Sequence, residues 1–312
     1  MAIESVLPFQ LDKSDIRGRI VRFKHVLGNI LSRRNYPPSV EELVAETTVL
    51  TAVIGQTIKL RWKLSLQFRG DGPVRLIASD YFAPDSIGMP ARIRVYSSFD
   101  NERVDPVASL PFKETGQGYF AVLIDQGQGQ TPYQGITPIT GTTIAKCAES
   151  FFEQSEQLAT RIVLSTERSP DGKKICKAGG ILVQHMPDKS PGLEPRPGLN
   201  GNGSMLHADD WSRVSCLLAT ATNKEIAGED STLETLIFRL FHEEGPRVFN
   251  KQPVEFGCTC SPDKVRRSLS VYSAKDIATM TTEQGTVDAV CQFCGESYVF
   301  DPSSLGFEAQ RG

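Results

Sequence analysis

Residues 58–68, IKLRWKLSLQF, alternate apolar and polar side chains. Ile58, Leu60, Trp62, Leu64, Leu66 and Phe68 fall on one side, and Lys59, Arg61, Lys63, Ser65 and Gln67 on the other. A period of two predicts a strand with one face buried and one in water. The GDGP at 70–73 is a turn. Shorter apolar runs predict further strands at 74–79, 92–97, 119–124, 161–165 and 181–184. Other stretches carry the helical period. In NYPPSVEELVAETTVLTAVIG, Ser39 and Glu42 read as a capping box behind Pro37 and Pro38. Val40, Leu43, Val44, Thr47 and Ile54 then fall near one face. In TTIAKCAESFFEQSEQL, Ile144, Ala148, Phe151 and Phe152 are spaced for a helix face.

The stretch 187–204, PDKSPGLEPRPGLNGNGS, is dense in Pro and Gly and nearly free of large apolar groups. It reads as a flexible connector. Two helices are predicted after it. One spans 209–226, with Trp211, Val214 and Leu218 on a stripe. The other opens on a Ser231/Glu234 capping box, carries Leu233, Leu236, Ile237, Leu240 and Phe241 on one side, and stops at Gly245-Pro246. Such a stripe needs a partner surface, permanent or conditional. The pattern predicts an α+β protein. Residues 1–186 form a mixed sheet packed by helices, 187–250 a connector with a helical linker, and 251–312 a small C-terminal module. No internal repeat is evident.

Composition narrows the function. The chain has 312 residues, 39% hydrophobic and 23% charged, with net charge −3. That is ordinary for a soluble globular protein of about two domains, and its core needs no disulfides. The lack of a basic excess argues against a nucleic-acid binder, and the Lys264–Arg267 cluster reads as surface charge. No basic segment followed by an apolar run opens the chain, so no signal peptide is expected. The apolar run LVAETTVLTAVIG is short and carries Glu46, so no membrane span is expected. The glycines of GYFAVLIDQGQGQ lack a phosphate-loop context, so no nucleotide is expected. His25, His185, His207 and His242 have no metal or triad spacing, and no enzymatic constellation is recognisable. These readings point to the cytoplasm, where clustered thiols are more often ligands or redox groups than structural disulfides.

Four of the seven cysteines do cluster: Cys258 and Cys260 in FGCTCS, and, thirty residues on, Cys291 and Cys294 in VCQFCGESY. A Cys₄ zinc site fits best. Each pair delivers two sulfurs from one turn, and Gly295 suits a turn whose N–H groups face sulfur. Four thiolates leave no open position, which argues against hydrolytic chemistry. A purely structural zinc and a redox sensor remain alternatives at this point, because bound thiolates are the form that oxidants attack. Zinc contributes roughly 10–16 kcal/mol to a small module, against on the order of 2 kcal/mol for each short disulfide loop. Loss of the metal should therefore unfold a module of this size. Cys147, Cys176 and Cys216 are isolated and read as buried, inert thiols.

The cysteine spacing resembles the signature of the bacterial 33-kDa heat-shock protein family of redox-regulated chaperones. The likeness extends upstream through RGRIVRF (17–23), GQGYF (116–120), PYQGITPI (132–139), FFEQSEQLATRI (151–162) and AGGILVQHMP (178–187). The stretch at 187–204 resembles an insertion into that pattern. The resemblance implies an ATP-independent holdase in which Cys258, Cys260, Cys291 and Cys294 bind one Zn²⁺ when reduced. It implies stress activation by Cys258–Cys260 and Cys291–Cys294 disulfides, zinc release and loss of order in the linker. Unfolding client proteins are the implied partners, Leu233, Leu236, Ile237, Leu240 and Phe241 are candidates for the client surface, and the oxidised form is expected to dimerise. The alternative is a nucleic-acid-binding or regulatory protein with a structural zinc ribbon. That reading predicts a metal site inert to peroxide.

Overall fold

The computed structural model describes residues 4–186 and 203–306. Most of the connector at 187–204 therefore lies outside the described residues. The chain divides into two compact units, Met1–Phe256 and Gly257–Gly312.

The first unit begins with β1 (Ser5–Leu11), β2 (Ile16–Phe23), α1 (His25–Leu31), α2 (Pro38–Gly55), β3 (Lys63–Gly70), β4 (Val74–Phe82) and β5 (Ala91–Phe99). It continues with β6 (Gly118–Asp125), β7 (Tyr133–Pro138), α3 (Ile144–Ser155), β8 (Thr160–Arg168) and β9 (Ile175–His185). The linker follows as α4 (Gly203–Ala219), α5 (Asn223–Ala227) and α6 (Leu233–Phe241), and the unit closes with β10 (Pro246–Val248) and β11 (Gln252–Phe256). The strands make one eleven-stranded sheet in the order β7-β6-β3-β4-β5-β11-β1-β2-β9-β8, with β10 paired on β1. All neighbours are antiparallel except β11 and β5, which run parallel with Val254 opposite Ala91. The expected α+β class holds.

Helix α2 is the hub of the larger core. It is buried on nearly every side, not along one stripe, because strands from both halves of the sheet pack against it. Val44, Val49 and Val53 meet Phe23, Leu66, Ile77 and Leu182 there. The Ser39/Glu42 capping box is not made. Pro38 is already inside the helix, the Ser39 hydroxyl donates to Asp105 O at 2.7 Å, and Glu42 pairs with Arg168 at 3.4 Å. Proline at the first helical position removes one orphan N–H, so a side-chain cap is less needed.

A second core lies on the other face of β1, β2 and β9. Leu7, Phe9, Leu11, Ile16, Ile20, Ile181 and Val183 rise from the sheet. Val214, Leu218, Ile226, Leu236, Ile237, Leu240 and Phe241 descend from α4, α5 and α6. The predicted helix over 209–226 is two helices, because Thr222 and Glu225 form a capping box that starts α5. The cap of α6 is Thr232, whose hydroxyl accepts from Thr235 N, while Glu234 pairs with Lys251 at 2.7 Å. The α5 backbone comes so close to β9 that a Cβ on Gly179 would stand 2.2 Å from Ile226 O, so only glycine fits there. Arg22 of β2 fastens the end of α5, donating to the carbonyl oxygens of Glu225, Ile226 and Ser231.

The second unit contains α7 (Pro262–Leu269), α8 (Ala274–Met280) and an antiparallel hairpin of β12 (Val287–Val290) and β13 (Ser297–Phe300). Its core is small. Ile277, Val287, Phe300 and Leu305 are buried, with Val265, Leu269, Ala289 and Tyr298 packed at the edges. Among the described residues no helix is long and apolar enough to cross a membrane.

Candidate metal centre

Cys258 and Cys260 lie in the loop that leads into α7. Ser261 caps that helix by accepting from Lys264 N, and Pro262 opens it, so the chain turns immediately after Cys260. Cys291 and Cys294 sit in the β12–β13 turn. Cys291 N donates to Glu296 O and Gly295 N to Cys291 O, both at 2.9 Å. Gly295 has φ of +76°, the left-handed conformation this knuckle requires.

The two turns bring the four sulfurs together. Sγ of Cys258 and Cys291 lie 3.7 Å apart, Sγ of Cys260 and Cys294 lie 3.4 Å apart, and all four fall within 4.8 Å of one another. A bonded pair would be at about 2.05 Å, so these are thiols. Sulfurs held at about 2.3 Å around a tetrahedral Zn²⁺ stand roughly 3.8 Å apart, so the cage has the right size. The donor set is soft sulfur throughout, which selects zinc or a similar thiophilic ion over magnesium or calcium.

The electrostatics agree. Burial pushes the thiols of Cys260 and Cys294 above their ordinary value. Four neighbouring thiolates therefore need a cation to persist. Tyr298 donates its hydroxyl to Cys260 Sγ at 3.1 Å, and Lys264 Nζ donates to Thr259 O at 2.5 Å, placing an ammonium beside the first pair. Neither residue was singled out as a site residue from the sequence. Tyr298 reaches the sulfur because the hairpin register sets it opposite Ala289. The rest of the basic cluster is surface charge, as Arg266 pairs with Asp263 at 3.0 Å and lies over the Phe300 ring.

The other candidates separate clearly. Leu236, Ile237, Leu240 and Phe241 are buried against the sheet, Leu233 is half-buried at the edge of the same cluster, and Phe238 on the opposite side is exposed. Sequence reading missed the sheet side of this contact. The period-two pattern of Leu7, Phe9 and Leu11, and of Ile16 and Ile20, would have shown it. Of the isolated cysteines, Cys147 is buried, with its thiol pushed up to about 11 by that burial. Cys176 is half-buried and donates to Glu167 O. Cys216 is exposed on α4, contrary to expectation, because the apolar stripe of that helix passes through Val214 and Leu218 instead.

Residues 4–301 match the family model described as Hsp33 protein. A 33 kDa chaperonin of Caulobacter vibrioides is 34% identical over 303 residues, covering 95% of this chain and 94% of the relative. One from Methylobacillus flagellatus is 31% identical, covering 94% and 90%. Among solved structures, the crystal structure of a 33 kDa chaperonin from Thermotoga maritima superposes with a TM-score of 0.76 at 20% identity, over 99% of this chain and 98% of that one.

Proposed function

The chain belongs to the Hsp33 family of chaperones, and from that premise we propose that it is a redox-regulated holdase. It binds non-native proteins without ATP, in the cytoplasm, and is switched by Cys258, Cys260, Cys291 and Cys294. In the reduced state these four sulfurs hold one zinc ion. The ion supplies the positive charge that keeps them as thiolates, and it ties two turns of a unit whose own core is small.

Oxidation reverses this. Each thiolate pair, Cys258 with Cys260 and Cys291 with Cys294, gives two electrons to hydrogen peroxide and closes one S–S bond. The peroxide O–O bond breaks and leaves as two hydroxide ions. Disulfide sulfur is a poor ligand, so the residues release the ion and the unit loses order. The linker helices then loosen, and the apolar face of β1, β2 and β9 becomes available to clients. The oxidised form dimerises.

One observation carries this reading. An extended apolar sheet face is covered by the linker helices, which run from Gly203 to Phe241, ahead of the sulfur cluster. Exposed apolar patches of that kind are where non-native chains bind. The test follows zinc release and light scattering of a denaturing client together, with and without oxidant. Zinc release should accompany suppression of scattering. Equal suppression by the reduced, metal-loaded protein would sink the switch.

A further inference from the structure

Arg17 is the second residue of β2 and is half-buried. Its Nη2 donates to Gln184 Oε1 at 3.4 Å, and Gln184 is itself fully buried, its amide donating to Thr160 Oγ1 at 3.1 Å. Arg17 Nε is buried with no acceptor among the described residues. Two residues on, Arg19 donates Nε to Gln56 O at the end of α2 and Nη1 to Gly18 O. Neither arginine is paired with a carboxylate among the described residues. Burial lowers the pKa of both, that of Arg19 to about 10 with Arg17 adding repulsion. Two neighbouring cations share a partly dry site with no directly paired carboxylate among the described residues, an arrangement that favours a bound anion.

Beside Arg17 is a cavity of about 200 Å³ between the end of α2, β6 and α3. Its walls are mostly hydrocarbon, from Ile54, Ile58, Val122, Ile124, Phe151 and Leu158. An apolar hole of about 150 Å³ already accepts benzene, so there is room for a hydrocarbon group of that size or larger. Tyr133 and Glu156 also line it, both exposed, and the Tyr133 hydroxyl donates to the Glu156 carboxylate. That fixed negative charge at the rim disfavours a ligand with a second anionic end.

We propose that this cavity binds a small apolar monocarboxylate, with its carboxylate on the Arg17 guanidinium and its hydrocarbon among Ile54, Ile58, Val122, Ile124 and Phe151. The ligand would neutralise the partly buried charge and fill the apolar space in one step. The site lies on the α2 side of the sheet, away from the face covered by the linker helices, and does not depend on the cysteine cluster.

Octanoate is the probe, titrated calorimetrically into the full-length reduced protein beside hexanoate, butanoate and octan-1-ol. One site per chain is expected, and each added methylene should tighten binding about fourfold. Octan-1-ol, and octanoate on Arg17→Gln, should bind about tenfold more weakly or worse. Ile58→Trp, at a half-buried position of the wall, should block binding while leaving Arg17 in place. Circular dichroism checks that both variants fold, and if Arg17→Gln does not, the octanoate-to-octanol ratio and Ile58→Trp decide. No saturable binding, equal affinity for acid and alcohol, or binding unchanged by Ile58→Trp would each overturn the assignment.

Discussion

The rings of Phe9 and Phe241 stack with centroids 5.8 Å apart and planes 24° from parallel. Phe9 belongs to the sheet and Phe241 ends the last linker helix, and both are fully buried. This pair joins the linker to the face it covers.

Phe241→Ala should cost about 3–5 kcal/mol of local stability, because it removes a buried aromatic and leaves a cavity. The reduced variant should then bind a hydrophobic dye and suppress client aggregation in part, as should Leu236→Asp. Limited proteolysis within residues 203–250 is the check. An unchanged cleavage pattern with no gain in activity counts against the covering role.

Glu244 fastens the same linker from its other side. Its buried carboxylate accepts from the Ser14 hydroxyl and from Arg213 Nε and Nη2, at 2.6 and 3.0 Å for the two arginine bonds. Glu244→Gln should loosen α6 by about 1–3 kcal/mol, the range for losing charge-assisted hydrogen bonds to a buried acceptor. Amide exchange along α6 should speed up, with exchange in α2 unaffected.

Chelating the bound ion should unfold residues 257–312 while leaving the sheet of the first unit intact. Four buried apolar side chains cannot offset the ordering entropy of some fifty residues, at roughly 1–2 kcal/mol each. NMR before and after chelation reads this directly. A dispersed spectrum for the C-terminal residues without metal would contradict it.

Tyr298→Phe deletes the donor to Cys260 Sγ without changing the packing of the ring. Outer hydrogen bonds of this kind are worth about 10–100-fold in metal affinity. Competition with a coloured chelator should show a loss at the lower end of that range. Peroxide should release the ion faster from the variant.

Glu46 supplies a pH dependence. Burial, with Glu42 adding repulsion, pushes its carboxyl up to about 8 in the folded protein. Unfolded, it titrates near about 4.3. The folded state therefore holds a proton that the unfolded state sheds, and stability declines as pH rises from about 4.3 to about 8. Glu46→Gln should remove this decline and raise the denaturation midpoint at pH 7. Parallel pH profiles for the two proteins would show that Glu46 ionises freely.

What the sequence disclosed depended on how local the cause was. The cysteine pairs were legible because turns of three and four residues determine where their sulfurs point. The stripe from Leu236 to Phe241 was legible because helical period and burial coincide. The start of β3 was misplaced: Ile58 and Leu60 precede the strand yet still pack on the larger core, so their spacing mimics alternation. The break between α4 and α5 was marked by Thr222 and Glu225, whose capping box the continuous apolar pattern obscured. The cover that Phe9 gives Phe241 was not legible, since it joins residues more than two hundred positions apart.

Strand β11 is the seam of the sheet, parallel to β5 on one side and antiparallel to β1 on the other. Its residues are among the last of the first unit to be synthesised. Until Phe256 has left the ribosome, the facing margins of β5 and β1 lack this partner, and such margins readily pair with foreign strands. A nascent chain of this protein thus spends most of its own translation as the kind of incomplete molecule that a chaperone exists to shelter.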